Sequence, residues 1–283
     1  MGIFSIFKGN KTAYFPGCSC YFKHKDSFEL YKKILSRLGI DFKIVDKKLC
    51  CGLPALEAGY DSETRKIARR NFEVFSEEGI NTIITNDSGC YKMFSLDYPK
   101  ILPDWNIKVD NIWKLILEKL ESRPGFIKIK AIGTITYQDS CYLGRYLDIY
   151  DEPRKILELI GYEVKEMSDS KSTSICCGSC GGLMFTNPEL ADEIARERIL
   201  QAKRTGIKRI VVSSLAEYEL IKKNSKESGI EVFEMSQILA IALGIKNKED
   251  FEKLKEEVED EIILDNREEE FNKEVEEVLE DKK

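Results

Sequence analysis

Short runs of consecutive apolar residues alternate along this chain with longer stretches in which apolar positions recur every three or four residues. The first pattern marks a strand buried on both faces, and the second an amphipathic helix. Read in order, it predicts a strand at Thr12–Phe15, a helix from Ser27 to Leu38 stopped by Gly39, and a strand at Phe42–Val45. A helix from Asp61 to Glu78 and a strand at Ile80–Thr85 follow. Then the series starts again, with a strand at Ile132–Tyr137, a helix from Pro153 to Ile160 stopped by Gly161, and a strand at Tyr162–Glu166. A helix with Asn187 as its cap and Pro188 at its first position runs to about Arg204, a favoured arrangement because proline needs no N–H there. It gives way to a strand at Ile207–Ser213, and short strands near Ile107–Val109 and Glu231–Phe233 finish the two halves.

Strands alternating with helices imply parallel βαβ units. The expected fold is therefore α/β, with two tandem, pseudo-repeated, Rossmann-like parallel sheets. The first domain is expected over residues 1–125, the second over 126–246 and an acidic helical tail over 247–283. Right-handed crossovers place the carboxyl end of every strand on one edge of its sheet, where open α/β sheets bind their ligands. Cys18, Cys50, Cys51 and Cys90 each follow a strand in the first half; Cys141 and, after a longer loop, Cys176 and Cys177 do so in the second. Residues more than thirty positions apart should thus meet at one site per half.

Charge adds a second division. The chain carries a formal net charge of −6, yet residues 247–283 hold 17 acidic and 7 basic residues, which leaves the remainder slightly positive. In that tail Phe251, Leu254, Val258 and Ile262, then Phe271, Val275 and Val278, are spaced like one face of a helix. It reads as a solvated amphipathic helix or as a docking element for a partner protein. With 42% hydrophobic and 33% charged residues the composition is that of a soluble protein. No run has the apolar length of a membrane span. The opening MGIFSIFKGN lacks the cleavage region of a signal peptide, and Ile6 departs from the myristoylation pattern. A cytoplasmic location is expected. No dense basic and aromatic stripe suggests nucleic acid. His24, the single histidine, lies in a polar, Lys-flanked stretch and reads as a surface residue.

In a reducing compartment nine cysteines, several adjacent or one residue apart, make a poor disulfide framework and point to metal or thiol chemistry. Thiolate is the soft ligand that iron–sulfur clusters and zinc select. The first half offers Cys18, Cys50, Cys51 and Cys90 with Cys20 as a spare; the second offers Cys141, Cys176, Cys177 and Cys180. Buried structural cysteine accounts for isolated residues but not for two Cys-Cys-Gly triplets at matching places. Structural zinc also takes four thiolates, although its ligands are usually spaced C-x₂₋₄-C rather than adjacent. Tyr14, Tyr21, Tyr91 and Tyr142 stand beside these cysteines and read as packing around the sites or as the border of a substrate pocket. Trp105 and Trp113 read as core or interface.

The order Cys, about thirty residues, Cys-Cys-Gly, about thirty-five residues, then a Cys-x-x-Cys position, present twice, resembles the cysteine-rich (CCG) domain. That domain occurs in the B-type and D-type chains of heterodisulfide reductase and in related oxidoreductase components. Tyr137-Gln-Asp-Ser-Cys-Tyr-Leu-Gly-Arg145, Asp151-Glu-Pro-Arg-Lys-Ile-Leu157, Glu166-Met167 and Cys176-Cys-Gly-Ser-Cys-Gly-Gly182 are similar to the D-type group. The similarity covers roughly residues 12–245. It implies [4Fe–4S] clusters, in some relatives non-cubane and held by five cysteines, that exchange electrons with a disulfide or a flavoprotein. The closing motifs depart from the family. Asp87 stands for a cysteine in Asp87-Ser-Gly-Cys90, both cysteines are absent from Ser214-Leu-Ala-Glu217, and Gln138 replaces a histidine. Cys20 and Cys180 are extra thiols, and Asp87 joins the cysteines as a candidate metal ligand.

The resemblance therefore implies an iron–sulfur electron-transfer or oxidoreductase subunit. It would work with a ferredoxin-like or flavoprotein partner and, as one reading, with a small disulfide substrate. The alternative is a cluster-binding or zinc-binding scaffold without catalysis of its own. The first site is expected to keep a cluster; the second holds either a conventional cluster or none.

Overall fold

The computed structural model describes residues 11–45 and 49–246; the acidic helix expected over 247–283 lies outside the described residues. The strands of the first half are β1 (Thr12–Tyr14), β2 (Lys43–Ile44), β3 (Thr82–Thr85) and β4 (Lys108–Asn111). Those of the second are β5 (Gly133–Gln138), β6 (Tyr162–Val164), β7 (Arg209–Val212) and β8 (Glu231–Glu234). They form two four-stranded sheets, ordered β2-β1-β3-β4 and β6-β5-β7-β8. Every pairing is parallel, as the alternation of strands and helices predicts. Each inner strand is covered on both faces, and β3 and β7 are buried throughout, which is why they read as unbroken runs rather than alternating ones.

The strand order fixes where a ligand can sit. In each sheet the first strand lies between the second and the third, so successive crossovers leave in opposite directions from neighbouring strands. A crevice opens at the carboxyl ends of β1 and β3, and of β5 and β7, where the two connections diverge. Cys18 follows β1 and Cys90 follows β3 in the first half, and Cys141 follows β5 in the second.

The helices Lys25–Arg37, Asp61–Glu77, Asp151–Leu159 and Pro188–Arg204 match the periodic stretches within a few residues. The Asn187 side chain accepts from the N–H of Leu190, the cap expected from the sequence. Helices at Ile112–Ser122, Leu215–Ser225 and Met235–Ala242 add to those predicted.

These additional helices join the halves. Lys25–Arg37, the first long helix of one half, packs on Met235–Ala242, the last helix of the other, and Ile112–Ser122 packs on Asp151–Leu159 in the same exchanged manner. One apolar cluster therefore runs through both repeats, from Tyr31, Trp113 and Ile116 to Tyr137, Ile156 and Leu239. The hydroxyl of Tyr31 donates to Glu234 across this boundary, and Glu234 also caps its own helix by accepting from the Ser236 N–H at 2.9 Å. The repeats are separable in sequence, but they share a core.

His24 differs from its expectation. Its side chain is only 20% exposed, and its Nε2 lies 2.7 Å from Glu219 Oε1 on the helix Leu215–Ser225. The exchanged packing brings that second-half helix against the turn Cys18–Phe22, covering a position that looks solvent-facing in the sequence. Among the described residues no helix is long and apolar enough to cross a membrane.

Candidate functional site

Each half gathers four cysteines at the carboxyl edge of its sheet. In the first, Cys50 interacts with Cys18 and with its neighbour Cys51, and Cys51 interacts with Cys90, so the four thiols form a chain. In the second, Cys176 interacts with Cys141, Cys177 and Cys180 together. The sulfurs of Cys141, Cys176 and Cys180 all lie within 4.8 Å of one another. The more compact set is thus in the second half, the reverse of the order expected from the degenerate closing motifs. The cause is Cys180, which the loop after the second Cys-Cys-Gly triplet folds back onto Cys141.

The backbone explains why the triplets recur. Gly52 and Gly178 both adopt positive φ, +88° and +94°, a conformation open to glycine at little cost. Each then donates its N–H to the first sulfur of the pair, Gly52 to Cys50 at 3.4 Å and Gly178 to Cys176 at 3.3 Å. A Cβ at residue 178 would stand 2.6 Å from the Ala191 carbonyl oxygen, so that glycine is also required for close packing. The neighbouring thiols, with a contribution from the glycine N–H, hold Cys50 and Cys176 far below the usual thiol range. Both are first members of a pair, so the same bias toward the anionic form acts at equivalent atoms of the two halves.

Buried polar groups fix the surrounding backbone. In the first half the Asn71 amide donates to the Cys50 carbonyl oxygen and to the Tyr98 hydroxyl, both at 2.7 Å, and Tyr98 donates to the Cys51 carbonyl oxygen at 3.0 Å. In the second half Arg154 is the organiser. Its guanidinium meets both Asp139 oxygens at 2.6 and 2.9 Å and both Glu166 oxygens at 2.5 and 2.8 Å. Asp139 also accepts from the Lys171 N–H at 2.7 Å. The Asp, Arg and Glu of the family-like segments thus form one network around the buried Arg154, with Asp139 two residues before Cys141 and Glu166 at its partly exposed end. Gln138, in place of a histidine, accepts from the buried Arg198 at 2.5 Å.

Two predicted ligands are placed differently from the others. Cys18 and Cys20 are two residues apart on the helix Cys18–Phe22 and therefore face apart. Cys20 is fully buried, with Tyr14, Asn86 and Glu234 around it, and burial with the Glu234 charge pushes its thiol up to about 12. The structure does not bring this spare thiol to the other four. Asp87 does reach the first group, but it serves as the cap of the helix Ser88–Lys92, its Oδ1 accepting from the Cys90 N–H at 2.8 Å. Burial raises its carboxyl above the usual range, opposed by that hydrogen bond.

Sequence reasoning passed over Glu217. It is 1% exposed, and burial pushes its carboxyl up to about 8, opposed by the Ser140 hydroxyl and helped by the nearby Cys176 sulfur. The only signal available was its position, the last of the second degenerate closing motif. Tyr142 links the two groups. It follows Cys141, its hydroxyl donates to Glu57 Oε1 of the first half at 2.5 Å, and it accepts from the Gly181 N–H at 3.3 Å. A Cβ at Gly89, the residue before Cys90, would lie 3.6 Å from the Tyr142 ring. One aromatic ring thus stands between the two thiol groups. A separate cavity of about 390 Å³, lined by Lys114, Tyr150, Asp151 and Lys155 among others, has no cysteine in its wall.

Two parallel sheets with thiols gathered at equivalent edges define a duplicated cysteine-rich α/β protein. The cysteine-rich domain (CCG) family matches twice, at residues 12–95 and 135–215, and the chain belongs to that family. It is 28% identical over 82% of its length to the D-type chain of the CoB–CoM heterodisulfide reductase of Methanosarcina barkeri, covering 59% of that protein. It is 29% identical over 74% of its length to a probable iron-sulfur-binding oxidoreductase of Bacillus subtilis, covering 30% of it. Similarity to the B-type chain of the CoM/CoB fumarate reductase of Methanothermobacter marburgensis is 30% over 72% of this chain and 40% of that one. The chain thus spans less than two thirds of the curated relatives it matches. Among solved structures, a hypothetical protein from Helicobacter pylori shares the fold, with a TM-score of 0.57 and 14% identity over 85% of this chain and 50% of that one.

Proposed function

We propose that this chain is an iron–sulfur subunit of a redox complex, carrying one [4Fe–4S] cluster in each half. Cys18, Cys50, Cys51 and Cys90 would hold the first. Cys141, Cys176 and Cys180, with Cys177 beside them, would hold the second. The observation that carries the reading is the pair of four-thiol groups at equivalent sheet edges, each with its leading sulfur already accepting a backbone N–H. Soft sulfur donors in sets of four fit iron–sulfur clusters. When bound, such a cluster accepts and releases single electrons. The chain's own residues exclude water from Cys51, Cys90, Cys141 and Cys177, all buried. They also donate hydrogen bonds to sulfur and hold the loops rigid through Asn71, Tyr98 and Arg154, which are the means by which a protein sets potential.

The names of the relatives support a place beside other redox subunits; a ferredoxin-like or flavoprotein partner would supply the electrons, and a small disulfide or other organic acceptor would take them. Tyr142, between the two groups, favours electron passage from one half to the other. The test is to reduce the anaerobic protein chemically, remove the reductant and add a small disulfide. The reduced-cluster signal is expected to disappear as each disulfide takes up two electrons and two protons from solvent to give two thiols. Rapid reoxidation by a one-electron acceptor, with no reaction of the disulfide, leaves an electron carrier whose acceptor is another subunit. A colourless protein that holds stoichiometric zinc supports the scaffold reading instead.

A further inference from the structure

We propose that the Glu217 carboxylate is an oxygen ligand of the metal in the second half, taking the place that Cys90 takes in the first; this rests on the metal-binding reading above. The internal repeat supplies the register. Ile83 of β3 pairs with Ala13 of β1, and Ile210 of β7 pairs with Thr136 of β5 in the same way. One residue past each strand the match is repeated by a buried hydrogen bond, Tyr14 to Asn86 at 2.7 Å and Tyr137 to Ser213 at 2.8 Å. Cys90 lies five residues beyond the end of β3, and Glu217 lies five residues beyond the end of β7. Both fall in the first turn of the helix that follows. The fold therefore delivers Glu217 to the crevice position that holds a thiol in the other repeat.

The state of the side chain points the same way. Glu217 is 1% exposed, and its Oε2 has no hydrogen-bond partner within bonding distance among the described residues; the Ser140 hydroxyl stands near it and is likewise unpartnered. A buried carboxylate is expected to be paired or to bind a metal, because desolvation without compensation is costly. The nearby buried cation, Arg198, is occupied: its guanidinium donates to Gln138, Gln201, the Asp169 carbonyl oxygen and Ser174. Glu217 also stands close to Cys141 and Cys177. Cys141, Cys176 and Cys180 give three mutually close sulfurs, one short of the usual four donors. The fourth thiol is drawn aside, with Cys177 Sγ 3.3 Å from Ser179 Oγ and its surroundings formed by Met167, Ile199 and Ile210. A single oxygen donor among sulfurs makes one iron harder than its neighbours and the most readily exchanged.

Mössbauer spectroscopy of the ⁵⁷Fe-loaded wild-type protein, beside E217A and E217C, tests this without any activity assay. The wild type is expected to show one iron of the second cluster with an oxygen donor. E217C should convert it to an all-thiolate pattern. E217A should lose about one iron per chain and give the paramagnetic signal of a three-iron cluster when oxidised. E217Q preserves shape while removing the carboxylate that would bind metal; it should hold the fold by circular dichroism and still perturb the same iron. Spectra and iron content identical across all four proteins would overturn the assignment and leave the cluster reading standing. If zinc binds in place of iron, a zinc absorption edge fitted by three sulfurs and one oxygen supports Glu217 and removes the iron reading. A second half free of metal in the wild type overturns both.

Discussion

Replacing Cys176 by serine is expected to empty the second half of its metal while the first stays loaded. Cys176 is the thiol on which Cys141, Cys177 and Cys180 all converge, and it alone of the four also accepts the Gly178 N–H. A serine hydroxyl has nearly the same shape but is a harder and far weaker ligand than thiolate, so the loss is chemical rather than structural. Iron and sulfide should fall by about half, from roughly eight to roughly four of each per chain. The signal of the remaining cluster should persist. Unchanged metal content would show that Cys176 is not a ligand. The same substitution at Cys20 should leave the metal content alone, because that thiol faces Tyr14, Asn86 and Glu234.

The second large effect is expected at Arg154. R154M keeps most of the side-chain volume but removes the partner of both Asp139 and Glu166. Glu166 is partly exposed and can turn to water, whereas Asp139 is 4% exposed and would keep its charge with only the Lys171 N–H for support. Breaking a buried ion pair from one side typically costs about 3–5 kcal/mol, because an uncompensated charge is left behind. The variant should unfold at much lower denaturant concentration, and its second centre should release metal first. Adding D139N removes the stranded charge and should recover part of the loss. A midpoint shift worth less than about 1 kcal/mol would mean that water reaches Asp139 and the network is not buried in solution.

Much of the fold was legible because parallel strands covered on both faces read as plain apolar runs and the long helices between them as periodic ones. Thr82–Thr85 and Arg209–Val212 were located for that reason, and so was the helix started by Asn187 and Pro188. The helix Met235–Ala242 was not, because six of its eight residues are buried and no polar face gives it a period. That helix and its counterpart Ile112–Ser122 make the exchanged contacts, so the shared core and the covering of His24 were also out of reach. Local pattern cannot report which surface a helix will meet.

The site was legible to the same degree. Spacing and strand ends were enough to group Cys18, Cys50, Cys51 and Cys90, and to group Cys141, Cys176, Cys177 and Cys180, since chain direction alone brings strand ends to one edge. Whether each side chain then turns toward its group depends on local geometry. Cys20 turns away because a short helix places it opposite Cys18, and Asp87 is engaged as a helix cap. Glu217 was passed over because a missing cysteine reads as a loss in sequence. Only the register of the second sheet against the first sets Glu217 at the position that Cys90 holds.

Anaerobic purification followed by iron, sulfide and zinc analysis, with electron paramagnetic resonance of the oxidised and reduced forms, tests the central claim most directly. Two loaded centres predict about eight irons and eight sulfides per chain, little zinc, and paramagnetic signals that change on reduction. A colourless protein holding zinc without iron would contradict the account of this chain as an iron–sulfur redox subunit.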